Sequence, residues 1–473
     1  MGGVAAPAAV MDALERGFDA ALADLIELAR IPGVSAPGFD PKQLELSAEC
    51  VAQLLERSGL ERVELLRLPG AHPYVVAEKR AARADAPTVL VYAHHDVQPP
   101  GRPERWLTPA FEPTLRGDGR LYGRGTVDDK AGLLLHVAAL RAWLAAEGAP
   151  PLHVKLIVEG EEEIGSGHLA EFLREHRERL AADVVVLSDT ANLATGVPAL
   201  TTSLRGLVAL DVTVRALDHP IHSGFWGGPV PDAATALARL LARLVDDDGG
   251  IRVPGLLDDV PELDARERAA IEALPCDQAA LRADAGMLPG TRFLGDAGRS
   301  LYERLWFRPS LAFTALEGMP LATAANQLIA EASARIGVRL APGQDAARVA
   351  RALTEFVRRD PPAGVTIATR LVTATPGWKT PARGPAFEAA HRALAAGYGR
   401  AAVEIGCGAS IPFVGPFCEV LGGAPALLLG LEDPPCNAHG ENESLDLGDF
   451  RRAARSSAHL LAGLAALPAA SAR

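Results

Sequence analysis

Five short acidic or histidine-bearing segments are spread along the chain: His94-His95-Asp96, Asp128-Asp129, Glu162-Glu163, Asp189 and His439. Together they supply two imidazoles and enough carboxylates to hold two divalent cations with one carboxylate between them. Oxygen and imidazole ligands without thiolate suit zinc, with manganese or cobalt as alternatives. Such a pair of cations activates water, so the set, in this order, points to a two-metal hydrolase.

Each segment alone also fits a plainer use. His94 could be a strand-end histidine paired with Asp96; as a ligand, it would have its ring oriented by Asp96, two positions on. His95 would face the other way if the strand continues. Asp128, close before a helix, could be an N-cap. Glu159, Glu161, Glu162 and Glu163 put four carboxylates within five positions, with no cationic residue nearby in sequence. An exposed acidic loop is the plain reading there, whereas bound cations would remove the repulsion. Asp189 and His439 could each be loop polarity. It is their joint placement at the exits of strands that favours one shared site.

The elements that must position these residues alternate. Apolar spacing predicts helices over 8–30 and 41–60, strands at 63–66, 74–77 and 88–92, and a helix over 131–146. A strand at 154–158, a helix over 169–180 and a strand at 184–187 follow. Apolar strands alternating with helices predict an α/β domain with a sheet covered on both faces. From about 204 the pattern changes: a strand at 207–214, a helix over 232–245, a charged irregular stretch to about 305, strands at 311–314 and 332–340, a helix over 345–358 and a strand at 365–371. That order is ferredoxin-like. After 376 the first pattern returns, with helices over 386–396 and 448–465 around a strand at 426–429. The expectation is one α/β domain in two pieces, 1–204 and 376–473, interrupted by a smaller domain over 205–375.

A length of 473 residues accommodates two domains, and 48% hydrophobic with 22% charged residues is an ordinary globular balance. The net charge of −12, from 47 basic and 59 acidic residues, argues against a nucleic-acid partner. Cys50, Cys276, Cys407, Cys418 and Cys436 form no Cys-x-x-Cys pair and read as buried small hydrophobes in a reducing compartment. The first ten residues lack the cationic start of a signal peptide, and no apolar run approaches the roughly 20 residues of a membrane span. A cytoplasmic protein is expected.

Tyr92-Ala-His-His-Asp-Val-Gln-Pro99, Gly123-Arg-Gly-Thr-Val-Asp-Asp-Lys130, Glu159-Gly-Glu-Glu-Glu-Ile-Gly-Ser166 and Ala438-His439 resemble the signatures of the carnosinase-like dizinc metallopeptidases. That group includes cytosolic dipeptidase, glutamate carboxypeptidase, aminoacylase and succinyl-diaminopimelate desuccinylase relatives. The resemblance implies a zinc-peptidase-like α/β catalytic domain with an inserted lid and dimerisation domain. It implies that Asp128 bridges the ions, that His94 and Asp189 complete one set of ligands and Glu163 and His439 the other, and that Glu162 is the general base. Asp at 189 is more like the dipeptidase branch than the carboxypeptidase or deacylase branches.

The resemblance extends to Asp218-His-Pro-Ile-His222-Ser-Gly-Phe-Trp-Gly-Gly228, which looks like a lid motif whose His222 stabilises the oxyanion in the partner subunit of a homodimer. Asn326 and Arg339 match substrate-binding positions, and Gly408-Ala-Ser410-Ile-Pro412 resembles a substrate-binding glycine loop. The guanidinium of Arg339 suits a terminal carboxylate. Gly406 and Cys407 stand where the group often has Arg-Glu, which places the side-chain pocket, not the metal chemistry, in question. The function expected is hydrolysis of the amide bond of dipeptides or short peptides; the alternative is removal of the acyl group from N-acyl amino acids.

Overall fold

A computed structural model describes residues 5–411 and 413–468. Pro412 of the expected glycine loop and the first four residues of the N-terminal reading lie outside those described. The chain forms two compact units: residues up to Thr202, Pro381–Ile405 and Phe413 onward make the first, and Ser203–Thr380 with the loop beginning at Gly406 makes the second.

The first unit is built on a mixed sheet. Its strands run in the spatial order Glu61–Leu66, Tyr74–Lys79, His153–Glu159, Thr88–His94, Val184–Ala191, Ala426–Glu432 and Ala199–Leu204. The four strands from His153–Glu159 to Ala426–Glu432 are mutually parallel. Their carboxyl ends, at Glu159, His94, Ala191 and Glu432, therefore lie along one edge, the edge where α/β sheets gather functional groups. Residues of Thr88–His94 alternate between two apolar layers. Val89, Val91 and Ala93 join the core made with helices Ala8–Ala29, Lys130–Glu147, Pro385–Tyr398 and Leu447–Ala465. On the same strand, the Tyr92 ring lies 4.4 Å from that of Phe413 and 5.8 Å from that of Phe417. Leu25, Leu54 and Leu134 are fully buried, each contributing about 2 kcal/mol by leaving water.

Local chemistry sets the helix ends. The Asp40 carboxylate accepts from Lys42 N at 3.1 Å ahead of Pro41, which fits a first turn because it has no N–H to satisfy. Gly148 closes Lys130–Glu147 at φ 75°, a left-handed conformation that glycine adopts without a Cβ penalty. A small separate sheet orders Ser444–Asp446, Arg120–Tyr122 and Thr114–Leu115, joining distant parts of the chain.

Several expectations needed correction. The helix expected over 169–180 is two, Leu169–Glu175 and Arg177–Leu180, broken at His176. The strand expected at 184–187 continues through Ala191, so Asp189 lies inside it rather than after it. Of the five cysteines expected to be buried, only Cys436 is; Cys276 is exposed and Cys50, Cys407 and Cys418 are half-buried.

The second unit has a four-stranded antiparallel sheet in the order Ser310–Glu317, Glu331–Leu340, Gly206–Arg215, Thr366–Thr375. With helix Ala233–Ala242 following strand Gly206–Arg215 and helix Ala346–Arg358 following strand Glu331–Leu340, this is the ferredoxin-like arrangement. Val208, Leu210, Val212 and Val214 alternate inward to pack with Leu240, Val349 and Leu353. The stretch expected to be irregular contains helices Ala265–Glu272, Gln278–Asp284 and Leu301–Trp306. Its charges pair: Arg299 with Glu262 and Glu303, Arg268 with both, and Arg308 with Glu262.

Candidate active site

The parallel strand edge brings the five segments together. His94 closes its strand opposite Glu159, fully buried. Its Nε2 lies 3.0 Å from Asp128 Oδ1 and 3.8 Å from Asp189 Oδ2. The other oxygen of Asp128 faces His439 Nε2 at 2.9 Å, and Glu163 Oε2 approaches the same nitrogen at 3.2 Å. Asp128 is thus suspended between two imidazoles, one oxygen to each. It is not an N-cap; Asp129 holds the position before helix Lys130–Glu147, with no side-chain capping bond.

Asp96 reaches His94 in two ways. Its backbone oxygen lies 3.1 Å from His94 Nδ1 and its carboxylate 3.4 Å from it. The same carboxylate accepts from the backbone N–H groups of Glu162 and Glu163, at 3.2 and 3.1 Å, which fixes the 3-10 turn Glu162–Ile164 against the end of the His94 strand. His95 turns away and meets Pro73 O at 3.0 Å. A Cβ on Gly160 would stand 2.8 Å from the His95 ring, so only glycine permits this approach.

The acidic run divides its labour. Glu159 accepts from Tyr92 Oη at 2.6 Å and from Ser166 Oγ at 3.2 Å. Glu161 accepts from Tyr74 Oη at 3.0 Å and pairs with His168 Nδ1. These two turn away from the site to hydroxyl and imidazole partners of their own. Glu162 and Glu163 remain at the site. Gln98 holds Glu163, donating its backbone N–H to Oε1 at 3.0 Å and its side-chain amide to Oε2 at 2.7 Å.

Burial and crowding shape the electrostatics. Burial, with the Glu163, Asp128 and Asp96 carboxylates adding to it against His94, pushes the Glu162 carboxyl up to about 7. Burial also raises Asp189 and Asp129 well above the usual carboxylate range. At Asp128 burial acts upward too, but hydrogen bonds from His439 and His94 outweigh it and hold the carboxyl below its ordinary value. Donation to the Asp128 and Glu163 carboxylates pushes the His439 imidazole up to about 11. Carboxylates thus outnumber imidazoles at a site whose acidic groups are largely buried while His439 stands open to solvent, a balance that divalent cations offset.

The donor set fits such ions. Asp128, Glu163 and His439 place ligand atoms within 4.8 Å of one another, as do His94, Asp129 and Asp189. Asp129 Oδ1 is a buried atom without a hydrogen-bond partner, and His94 Nε2, though 3.0 Å from Asp128 Oδ1, is not aligned for a regular hydrogen bond to it. All these donors are nitrogen or oxygen. Asp128, Asp189 and Glu432 form a third group of the same span. Glu432, pushed up to about 8 by burial and then by Asp128, was not anticipated from sequence, nor was Asp129 as an alternative neighbour of His94. An apolar run ending in a carboxylate, the cue used for the other segments, also marks Leu427–Glu432.

The remaining expected residues lie in the second unit. His222, in the short strand Ile221–His222, pairs with Gln327 beside Asn326, whose carbonyl accepts from Ser223 N at 2.9 Å. The exposed His222 ring accepts from Gly224 N and lies 4.6 Å from the Phe225 ring. Arg339 donates to Ser410 Oγ at 2.8 Å. These form two neighbouring pairs, His222 with Asn326 and Arg339 with Ser410.

Two carboxylate-linked histidines at the carboxyl edge of a parallel sheet, with an uncommitted glutamate beside them, define a hydrolase centre of the metallopeptidase class. The chain belongs to peptidase family M20/M25/M40, whose profile matches residues 90–463. It is 32% identical over 419 residues to the cysteinylglycine-S-conjugate dipeptidase of Corynebacterium striatum, covering 88% of this chain and 89% of that one. Among solved structures it resembles the di-peptidase Dug1p of Saccharomyces cerevisiae, with TM-score 0.85, 25% identity and coverage of 97% and 98% of the two chains. Human carnosine dipeptidase 1 superposes with TM-score 0.84, 26% identity and coverage of 98% and 100%. Among the described residues no helix is long and apolar enough to cross a membrane.

Proposed function

We propose that this hydrolase cleaves the amide bond of dipeptides or short peptides, using two divalent ions, zinc foremost, with manganese or cobalt as alternatives. The observation that carries the reading is the Asp128 carboxylate with one oxygen toward His94 and the other toward His439. His94, Asp128 and Asp189 would hold one ion, and Asp128, Glu163 and His439 the other. When bound, the ions supply Lewis-acid activation of water and of the scissile carbonyl.

The chain's own groups do the rest. Glu162, with its carboxyl at about 7, accepts the proton of the attacking water and returns it to the departing amine nitrogen. Asp96 fixes the His94 ring and, through two backbone N–H groups, the placement of Glu162 and Glu163. The Arg339 guanidinium binds the substrate's terminal carboxylate, oriented by Ser410, with Asn326 as a further contact. His222 donates a hydrogen bond to the developing oxyanion in the partner subunit of a homodimer formed through the inserted domain. The exposed His222 and the exposed Leu316, Leu371 and Val372 of that domain's edge strands support an association there. We place the enzyme in the cytoplasm, in keeping with cysteines that form no disulfide among the described residues.

The relatives' dipeptidase names support the substrate class. The test is turnover of the zinc-, manganese- or cobalt-reconstituted protein on a dipeptide panel beside N-acetyl and N-succinyl amino acids. Dipeptide cleavage is expected; preference for the acyl compounds would assign the deacylase activity instead.

A further inference from the structure

Arg124 and Glu443, 319 positions apart in sequence, form a buried ion pair with Nη1 to Oε2 at 2.6 Å, and their side chains are 1% and 0% exposed. Neither belongs to a ligand group, yet the contacts of both lead to ligand-bearing loops. Arg124 Nη2 converges on the carbonyl of His439 itself at 3.0 Å, on that of Gly440 at 3.1 Å and on that of Pro99 at 3.1 Å. Glu443 Oε1 lies 3.1 Å from Val127 N and 3.3 Å from Asp128 N, accepting from both. Gly123 N donates to Glu443 O at 2.9 Å, and the adjoining residues Ser444–Asp446 and Arg120–Tyr122 pair as strands. One ion pair therefore ties together the loop after His94, the loop bearing Asp128 and the loop bearing His439.

The His439 loop needs such a hold. Asn437, His439 and Asn442 have φ of 53°, 64° and 65°, left-handed conformations that side-chain-bearing residues adopt at a cost and keep only where their surroundings fix them. Three such residues within six positions do not stay in place without outside bonds, and the carbonyls that Arg124 grips lie between them.

We infer that Arg124 and Glu443 are positioning residues that set the separation of Asp128 from His439, and so the affinity of the metal centre. The inference rests on the metal reading above. Glu443 keeps Asp128 at its distance through the backbone, and Arg124 keeps the His439 backbone where its ring meets Asp128. Partners that orient metal ligands in this way are worth roughly 10–100-fold in metal affinity.

The test measures Co2+ binding to the metal-stripped full chain, by chelator competition and by the visible absorption that reports cobalt geometry. Glu443→Gln keeps shape and an acceptor but loses the ion pair. Arg124→Lys keeps the charge but loses the planar fork that reaches several carbonyls at once. Asp449→Asn is the control: Asp449 is equally buried, bound to Gly196 N and Arg452, and touches none of the three loops. Both clamp variants should bind Co2+ about 10–100-fold more weakly with an altered spectrum, while circular dichroism and the control's cobalt affinity stay at parental values. Clamp variants with parental affinity and spectrum would overturn the inference. So would loss of fold in both, or equal loss of cobalt by Asp449→Asn, which would mean general stabilisation. A parent chain that binds no cobalt would instead sink the metal reading itself.

Discussion

Glu162→Gln isolates the base from the metal centre more cleanly than any other substitution. Glutamine matches the size of glutamate and removes only its proton affinity. Glu162 stands in none of the three groups of converging ligand atoms, so ion content should stay at the parental level. Its carboxyl, pushed up to about 7 by burial and then by Glu163, Asp128 and Asp96, sits near the working pH where a general base is most effective. Such bases contribute about 10²–10⁴-fold, or ~3–5.5 kcal/mol of barrier at 1.36 kcal/mol per decade. The acid limb follows with its sign. As pH falls through the pKa of this carboxyl, about 7 without ions and lower once cations offset Glu163 and Asp128, the base fills with protons and the rate should fall towards tenfold per pH unit; the variant's residual rate should lack that limb. The assay is kcat and kcat/KM for a dipeptide from pH 5 to 9, beside metal analysis of both proteins. A variant within tenfold of the parent would refute the assignment, and one that has lost an ion would make Glu162 a ligand instead.

Metal uptake should release protons. Asp128 and Glu163 push the His439 imidazole up to about 11, so at pH 7 the metal-free ring carries a proton that an incoming cation must displace. Affinity should therefore rise with pH, and calorimetry in two buffers of different ionisation enthalpy should show net proton release; pH-independent uptake contradicts it. His222→Ala should impair turnover with both ions still bound, and mixing it with Glu162→Gln should recover activity through hybrid dimers; no recovery argues against a shared site. Phe450 is fully buried 5.5 Å from Phe18, so Phe450→Ala should cost ~3–5 kcal/mol, read as a lower Tm and urea midpoint.

The parts of this fold legible in sequence are those with a local cause. The spacing of Val10, Leu14, Phe18 and Leu25 marks one buried stripe, and the apolar run before His94 marks a central strand. The order of strands and helices from 206 to 375 was enough to predict the ferredoxin-like sheet. Asp264-x-x-Glu267 was equally legible as a capping box, in a stretch that was expected to be irregular. What escaped has non-local causes. Tyr74 and Tyr92 take Glu161 and Glu159 out of the acidic run from other strands, across 87 and 67 positions. Gln98 carries no charge to advertise its three bonds to Glu163. Asp189 sits inside a strand because polar Ser188–Thr190 keep extended backbone alongside Gly430, which apolar periodicity does not reveal. Glu432 was missed because the expected strand stopped short of the residue that ends it.

The central claim is that one carboxylate is shared by two cations. Diffraction from the zinc-loaded protein at the zinc absorption edge tests it most directly. The account predicts two anomalous peaks flanking Asp128, one with His94 and Asp189 and the other with Glu163 and His439. A single peak, or peaks out of reach of Asp128, would contradict it.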